Sequence, residues 1–256
     1  MIPEQKRILI TVKAYPNPSR TYGETVCCAG VELSSGKWIR LYPIPYRDLD
    51  DEQKFKKYSV VDLRCGKAPD DNRPESHKVD AGSIRIVESW DTKDRWGRRK
   101  EVVLPTLSAS MCQVYRDSEG EGKSLALVKP DSISFSWEKA PAKDHAAREA
   151  CYAQLSFFDK RKRAIEAIPY TFHYSFKCPR VEGCPGHTMP IIDWELGQSY
   201  RNWRWRYRNT KVLLEKIREC WLDKLCSAKN DVYFYVGNMK RFRQTFMILG
   251  VFYPPK

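Results

Sequence analysis

Cys178, Cys184 and His187 fall on one short segment broken by Pro179, Gly183, Pro185 and Gly186. Thiolate and imidazole are donors that Zn2+ prefers, and Pro and Gly let a backbone curl until several side chains face one centre. The C-x5-C-x2-H spacing supplies three of the four ligands of a tetrahedral site. His173 is a candidate for the fourth, with Asp193, Cys220 and Cys226 as alternatives. A water in that position would leave the metal open to substrate. Four protein ligands would make the zinc structural, a staple of the kind small hairpin tips need. The competing reading is that Cys178 and Cys184 simply pack at the tip with His187 capping it.

An acidic pair follows, Asp193 and Glu195, which share a face if both stay in a strand. Two carboxylates so placed can hold Mg2+ for phosphodiester cleavage, with Lys240 or His187 assisting. Nucleases of the PD-(D/E)xK kind need a Lys two residues after the second acid, and Gly197 stands there instead. That departure favours the plainer reading. Glu195 then complements the positive end of the next helix, and Asp193 makes a local hydrogen bond or ion pair.

Beyond the acidic pair, Leu196 to Leu214 holds no acidic residue. On a helix from Gln198 to Cys226, Tyr200, Trp203, Tyr207, Leu214, Ile217 and Trp221 form a core-facing stripe. Arg201, Arg204, Arg208 and Lys211 form a neighbouring basic ridge suited to successive phosphates. Trp205 and Arg206 lie off both faces and are placed to stack on a base. Lys240, Arg241 and Arg243, between the last two strands, extend the basic surface. A solvated face with internal ion pairs is the alternative.

These groups need a scaffold. Short alternating segments, punctuated by Gly and Pro, predict strands over Arg7–Ala14, Thr25–Leu33, Lys37–Tyr42, Tyr58–Cys65 and Ser83–Trp90. Without intervening helices they point to antiparallel barrels, two small ones within residues 1–138, separated by the polar stretch Gly66–Gly82. Asp91–Lys100 reads as an exposed hairpin or loop with one Trp and several basic groups, a solvated charged turn. Residues 139–169 read as a helical connector, ended by Pro169. Residues 170–256 read as a ββαββ module carrying the knuckle and the basic helix. The fold class is thus mainly β with an α+β C-terminal part.

The 256 residues carry a net charge of +13, and a surface this basic attracts polyanions. No apolar run approaches the ~20 residues that span a bilayer. The N-terminus lacks a signal-peptide pattern, and 9 cysteines, an odd number, argue against a disulfide framework. Cytoplasm is the expected compartment. Cys27, Cys28, Cys65, Cys112 and Cys151 read as small buried hydrophobes.

The stretches ILITVKAYPNP, GKWIRLYPIPYR, KSLALVKPDSI, FKC…CPGH…IIDWELG and GVFYPP resemble uncharacterised bacterial proteins with a dual oligonucleotide-binding-fold domain. The resemblance covers about residues 6 to 137 and the C-terminal knuckle. It implies adjacent barrels that bind single strands, in DNA maintenance or phage defence, and transfers no catalytic residue. The expected function is DNA or RNA binding beside a structural zinc. A Mg2+-dependent nuclease using Asp193 and Glu195, and a protein-interaction adaptor, are the alternatives.

Overall fold

The computed structural model describes residues 3–256 apart from 16, 20–22, 47 and 142–166. The first strands are β1 (Glu4–Lys13), β2 (Asn17–Ser19), β3 (Gly23–Glu32), β4 (Trp38–Ile44), β5 (Ser59–Lys67) and β6 (Ser76–Ser89). β1 pairs with both β3 and β5, so the order β1-β5-β6-β4-β3 closes on itself as a five-stranded barrel. All its ladders are antiparallel except β4 with β6, which run parallel through Arg40↔Ser76. This is the connectivity of an oligonucleotide-binding barrel.

Two helices follow, α1 (Lys93–Val103) and α2 (Met111–Gly120). The remaining strands are β7 (Leu125–Val128), β8 (Asp131–Lys139), β9 (Tyr170–Lys177), β10 (His187–Pro190), β11 (Tyr233–Asn238) and β12 (Phe246–Phe252). β7 and β8 continue one another across Pro130, which cannot donate to a ladder. β8 pairs with β9 and β9 with β10, while β12 pairs with β11 and β11 with β7, all antiparallel. A parallel bridge, Ile191↔Ile248, joins the β10 side to β12. With β7–β8 as its first strand, this series repeats the strand connectivity of the first barrel. Helices α3 (Trp194–Arg206) and α4 (Thr210–Arg218) lie between its third and fourth strands.

Alternation along the strands explains how the barrels meet. In β1, Ile8 and Ile10 enter the first barrel's core, whereas Leu9 and Val12 face a second cluster. In β7 and β11, Ala126, Val128, Phe234 and Val236 enter the second barrel's core. Their neighbours Leu125, Leu127, Tyr233 and Tyr235 face the same shared cluster as Leu9. A third core therefore lies between the two barrels. Polar contacts flank it: Arg40 donates to the Ser124 carbonyl at 2.8 Å, and the Ser124 hydroxyl donates to Glu75 at 2.6 Å. Arg73 donates to the Asn238 carbonyl at 2.8 Å.

The mainly β class with an α+β C-terminal part is what the structure shows, and it differs from the sequence reading in particular elements. The second set of barrel strands begins at β7 rather than within the first 89 residues, and it absorbs the ββαββ unit. The polar stretch before residue 82 already contains the start of β6, the strand that closes the first barrel. Asp91–Lys100 is no exposed hairpin: a left-handed turn at Asp94, Arg95 and Trp96, with φ of 49°, 50° and 64°, leads into the helical remainder of α1. There Trp96 is buried against Phe252 and Tyr253, and the Arg99 guanidinium lies 4.0 Å from the Tyr58 ring centroid. The connector expected over 139–169 falls almost wholly outside the described residues.

Leu127 is fully buried in the shared core. Leu127→Ala is expected to cost about 2–5 kcal/mol. Urea unfolding followed by Trp fluorescence and by far-UV dichroism should still give one coincident transition. Two separated transitions would show that the barrels fold independently.

Candidate metal centre and basic surface

The knuckle opens directly after β9 and returns at the first residue of β10, His187. Arg180, Gly183 and Gly186 take positive φ values of 57°, 70° and 82°, which supply the curl. The fourth donor comes from elsewhere. Cys112 stands in the first turn of α2, whose Ser110 cap accepts the Gln113 N–H at 3.0 Å.

Cys112, Cys178, Cys184 and His187 place three Sγ atoms and one Nε2 within 4.8 Å of one another. Cys112 Sγ lies 3.8 Å from both Cys178 Sγ and Cys184 Sγ, too far for a disulfide. His187 Nε2 lies 3.3, 3.5 and 3.5 Å from the sulfurs of Cys178, Cys112 and Cys184. A tetrahedral ion with bonds of ~2.3 Å to sulfur and ~2.0 Å to nitrogen requires edges of about 3.8 and 3.5 Å. The donor set fits such an ion. All four positions are protein ligands, which describes a closed site.

Burial, and then the adjoining Cys178 and Cys184 sulfurs, push the Cys112 thiol up to about 12. Burial also works to raise Cys184, but N–H groups of Cys178 and Gly186 outweigh it and hold this thiol below its ordinary value. Burial lowers the His187 pKa, keeping its imidazole neutral and able to ligate.

The ligand set thus corrects the sequence reading at one position. His173 is not part of it; the ring lies on β9, 3.8 Å from Glu138. Cys220 and Cys226 lie near the turn after α4 and are also outside the group. Cys112, taken from the sequence as a buried hydrophobe, is a donor. Ser110-Met111-Cys112-Gln113 has the S-x-x-Q form of a capping box, so the start of α2 was readable, though its destination was not.

Asp193 and Glu195 do not form an open metal pair. Asp193 caps α3, accepting the Glu195 N–H at 2.8 Å, and its side chain is 0% exposed. Its other oxygen accepts from Lys57 Nζ at 2.6 Å, while Glu195 accepts from the same amine at 3.1 Å. Burial works to lower the Lys57 pKa, but the two carboxylates outweigh it and the net direction is up. Lys57 precedes β5, so this charged cluster ties the barrels together. Lys240 is engaged elsewhere, with Asp70 at 2.9 Å. Among the described residues, the Cys/His group is the one cluster of three or more donors close enough to share an ion.

The basic ridge is broken. α3 ends at Arg206, and Asn209 starts α4 by accepting the Val212 N–H at 3.2 Å. Arg201 and Arg204 therefore ride on α3, Arg208 lies in the break, and Lys211 belongs to α4. An Asn that caps a new helix is a local signal that the 3.6-residue stripe obscured. The stripe itself is core: Tyr200, Leu214, Ile217 and Trp221 are buried. Trp205 is 73% exposed, with the Arg204 guanidinium 4.6 Å from its ring centroid. Arg206 lies 5.4 Å from the Tyr207 ring. In the turn between β11 and β12, Arg241 is exposed, and so is Phe242 at 62%, a residue the sequence reading passed over. Arg243 in the same turn donates to Asn72.

Two family profiles divide the chain. Residues 4–105 match the family described as Domain of unknown function (DUF8758), and residues 107–256 match Domain of unknown function (DUF8757). The second match spans more than half of the chain, which belongs to the DUF8757 family. No curated protein matches the sequence significantly. A solved structure of a replication protein A heterotrimer bound to ssDNA aligns over 98% of this chain at 10% identity and a TM-score of 0.35. The chain spans 49% of that matched chain, and a likeness this loose carries no functional assignment. Among the described residues, no helix is long and apolar enough to cross a membrane.

Protein purified without added metal should hold one metal ion per chain by elemental analysis. Cys112→Ser and Cys178→Ser should lose it, each costing ~3 kcal/mol or more and lowering Tm by about 6–12 °C. His173→Ala should keep the metal; its loss there would refute the assigned ligand set. Asp193→Ala, which removes the α3 cap and leaves the buried Lys57 amine only the more exposed Glu195 as a partner, should cost about 3–5 kcal/mol.

Proposed function

We propose that this protein binds single-stranded nucleic acid, with a structural zinc at Cys112, Cys178, Cys184 and His187. One observation carries the binding reading. Among the described residues, the two most exposed large apolar side chains, Trp205 and Phe242, each stand between two arginines, as Arg204-Trp205-Arg206 and Arg241-Phe242-Arg243. Exposed rings of this kind offer a face on which bases stack whatever their sequence. Flanking guanidiniums add phosphate contacts and cation–π stacking. Arg201, Arg208 and Lys211 lengthen the basic track beside Trp205, and Lys240 stands beside the second triplet.

The fold supports this reading. In oligonucleotide-binding barrels the loop between strands four and five flanks the binding face, and the second triplet occupies that loop here. The corresponding face of the first barrel is partly covered, since Arg40 on its third strand is buried against Ser124. The second barrel is therefore the binding one in this reading. Zinc is favoured over Mg2+ by the three thiols and by tetrahedral spacing. The closed site assigns it to stability, not to hydrolysis.

Fluorescence anisotropy with labelled single-stranded DNA and RNA tests this. Trp205→Ala and Phe242→Ala should each weaken binding by about 5- to 150-fold, the equivalent of ~1–3 kcal/mol per stacked base. Log affinity should fall linearly with log salt, and reversing Arg204, Arg206, Arg241 and Arg243 to Glu should flatten the slope. Affinity for anionic vesicles with none for oligonucleotides would contradict the assignment.

A further inference from the structure

Helix α2 touches both the metal centre and the Arg241-Phe242-Arg243 turn. Its first turn supplies Cys112. One turn on, the Tyr115 ring stacks on the ligand His187 at 5.9 Å and 28°, and meets Phe246 edge-on at 5.3 Å. Phe246 is the residue at which the turn re-enters β12. Near the helix end, the buried Ser118 hydroxyl donates to the Arg243 carbonyl at 3.4 Å and accepts from Asn238 Nδ2 at 3.3 Å. Asn238 Nδ2 also donates to the Arg243 carbonyl at 2.9 Å, closing the base of the turn. Barrel one holds the other side, through Asp70 on Lys240 and Arg73 on the Asn238 carbonyl.

We infer that the metal centre sets the posture of the 239–245 turn through α2, so that metal loss selectively weakens single-strand contact at Phe242. The inference rests on the single-strand reading of that turn. Its physical content is a contiguous path of bonded groups: metal ligand Cys112, helix, Tyr115 and Ser118, then both ends of the turn. Without the ion, the start of α2 has no covalent tie to the β9–β10 hairpin, and the Ser118 and Tyr115 contacts lose their fixed base. Trp205 sits on α3, whose start is fixed by Asp193 and Lys57, and serves as an internal control.

The test uses the full chain in three forms: as purified, stripped with a chelator under reductant, and refilled with Zn2+. Hydrogen exchange of the 239–246 amides and anisotropy with labelled oligodeoxythymidine are read on each. Stripping should speed exchange across 239–246 and weaken oligonucleotide binding, both by roughly tenfold, about one lost buried hydrogen bond. Refilling should reverse both effects. Ser118→Ala, which keeps all four ligands, should retain one metal ion per chain yet reproduce both changes. In Phe242→Ala, stripping should change affinity little further, whereas in Trp205→Ala it should still weaken binding. Unchanged exchange over 239–246 in both the stripped protein and Ser118→Ala would overturn the coupling. Faster exchange in a protein that binds no oligonucleotide would uphold the coupling and overturn the single-strand reading instead.

Discussion

Successive side chains of a strand point to opposite sides, so a strand buried along its length must lie between two cores. β1 from Ile8 to Val12 and β11 from Tyr233 to Val236 meet that condition. Each barrel therefore lends an outer face to the other, and the third core between them constrains everything else. It fixes where Lys57 meets Asp193 and where Arg40 and Glu75 meet Ser124. It also sets one barrel's loop of Asp70 to Arg73 beside the other's turn of Asn238 to Arg243. The geometry of this junction comes from apolar packing, and the buried charges at Lys57, Asp193, Arg40 and Glu75 are compatible with it because each has a partner.

The second barrel has a problem the first lacks. Its strands are interrupted by two helices after β10, and its β9–β10 tip, CPRVEGCPG, offers Val181 as its one aliphatic side chain besides the prolines. A Cys3His group joins that tip to α2 where packing alone is thin. The stacking of Tyr115 on His187 and the burial of Cys178 extend the core up to the ligands. A bound ion would thus complete a wall of the barrel.

Local periodicity made much of the fold legible. β1, β3, β5, β9, β11 and β12 follow from alternation, and Cys178, Cys184 and His187 announce themselves by spacing and by the glycines between them. What escaped was non-local. Cys112 lies 66 residues from Cys178, and no spacing rule connects a helix start to a distant hairpin. β7 carries the same kind of strand signal as β8, but only the fold shows the two continuing one another around Pro130. The charged segment from Asp91 to Lys100 hid α1, because Trp96 and Arg99 are buried only once Tyr58 and Phe252 surround them. The basic ridge failed for a local reason: Asn209 caps a new helix, and the 3.6-residue count does not survive the break. Arg-Trp-Arg and Arg-Phe-Arg were both present in the sequence, yet only exposure distinguishes a stacking ring from a core ring.

Ultraviolet cross-linking of a bound single-stranded oligonucleotide, with the adducts mapped by mass spectrometry, tests the central claim most directly. The account predicts adducts at Trp205 and Phe242 on the metal-loaded protein, lost when excess unlabelled strand competes. Adducts confined to the first barrel, around Tyr42, or no adducts at saturating strand, would contradict it.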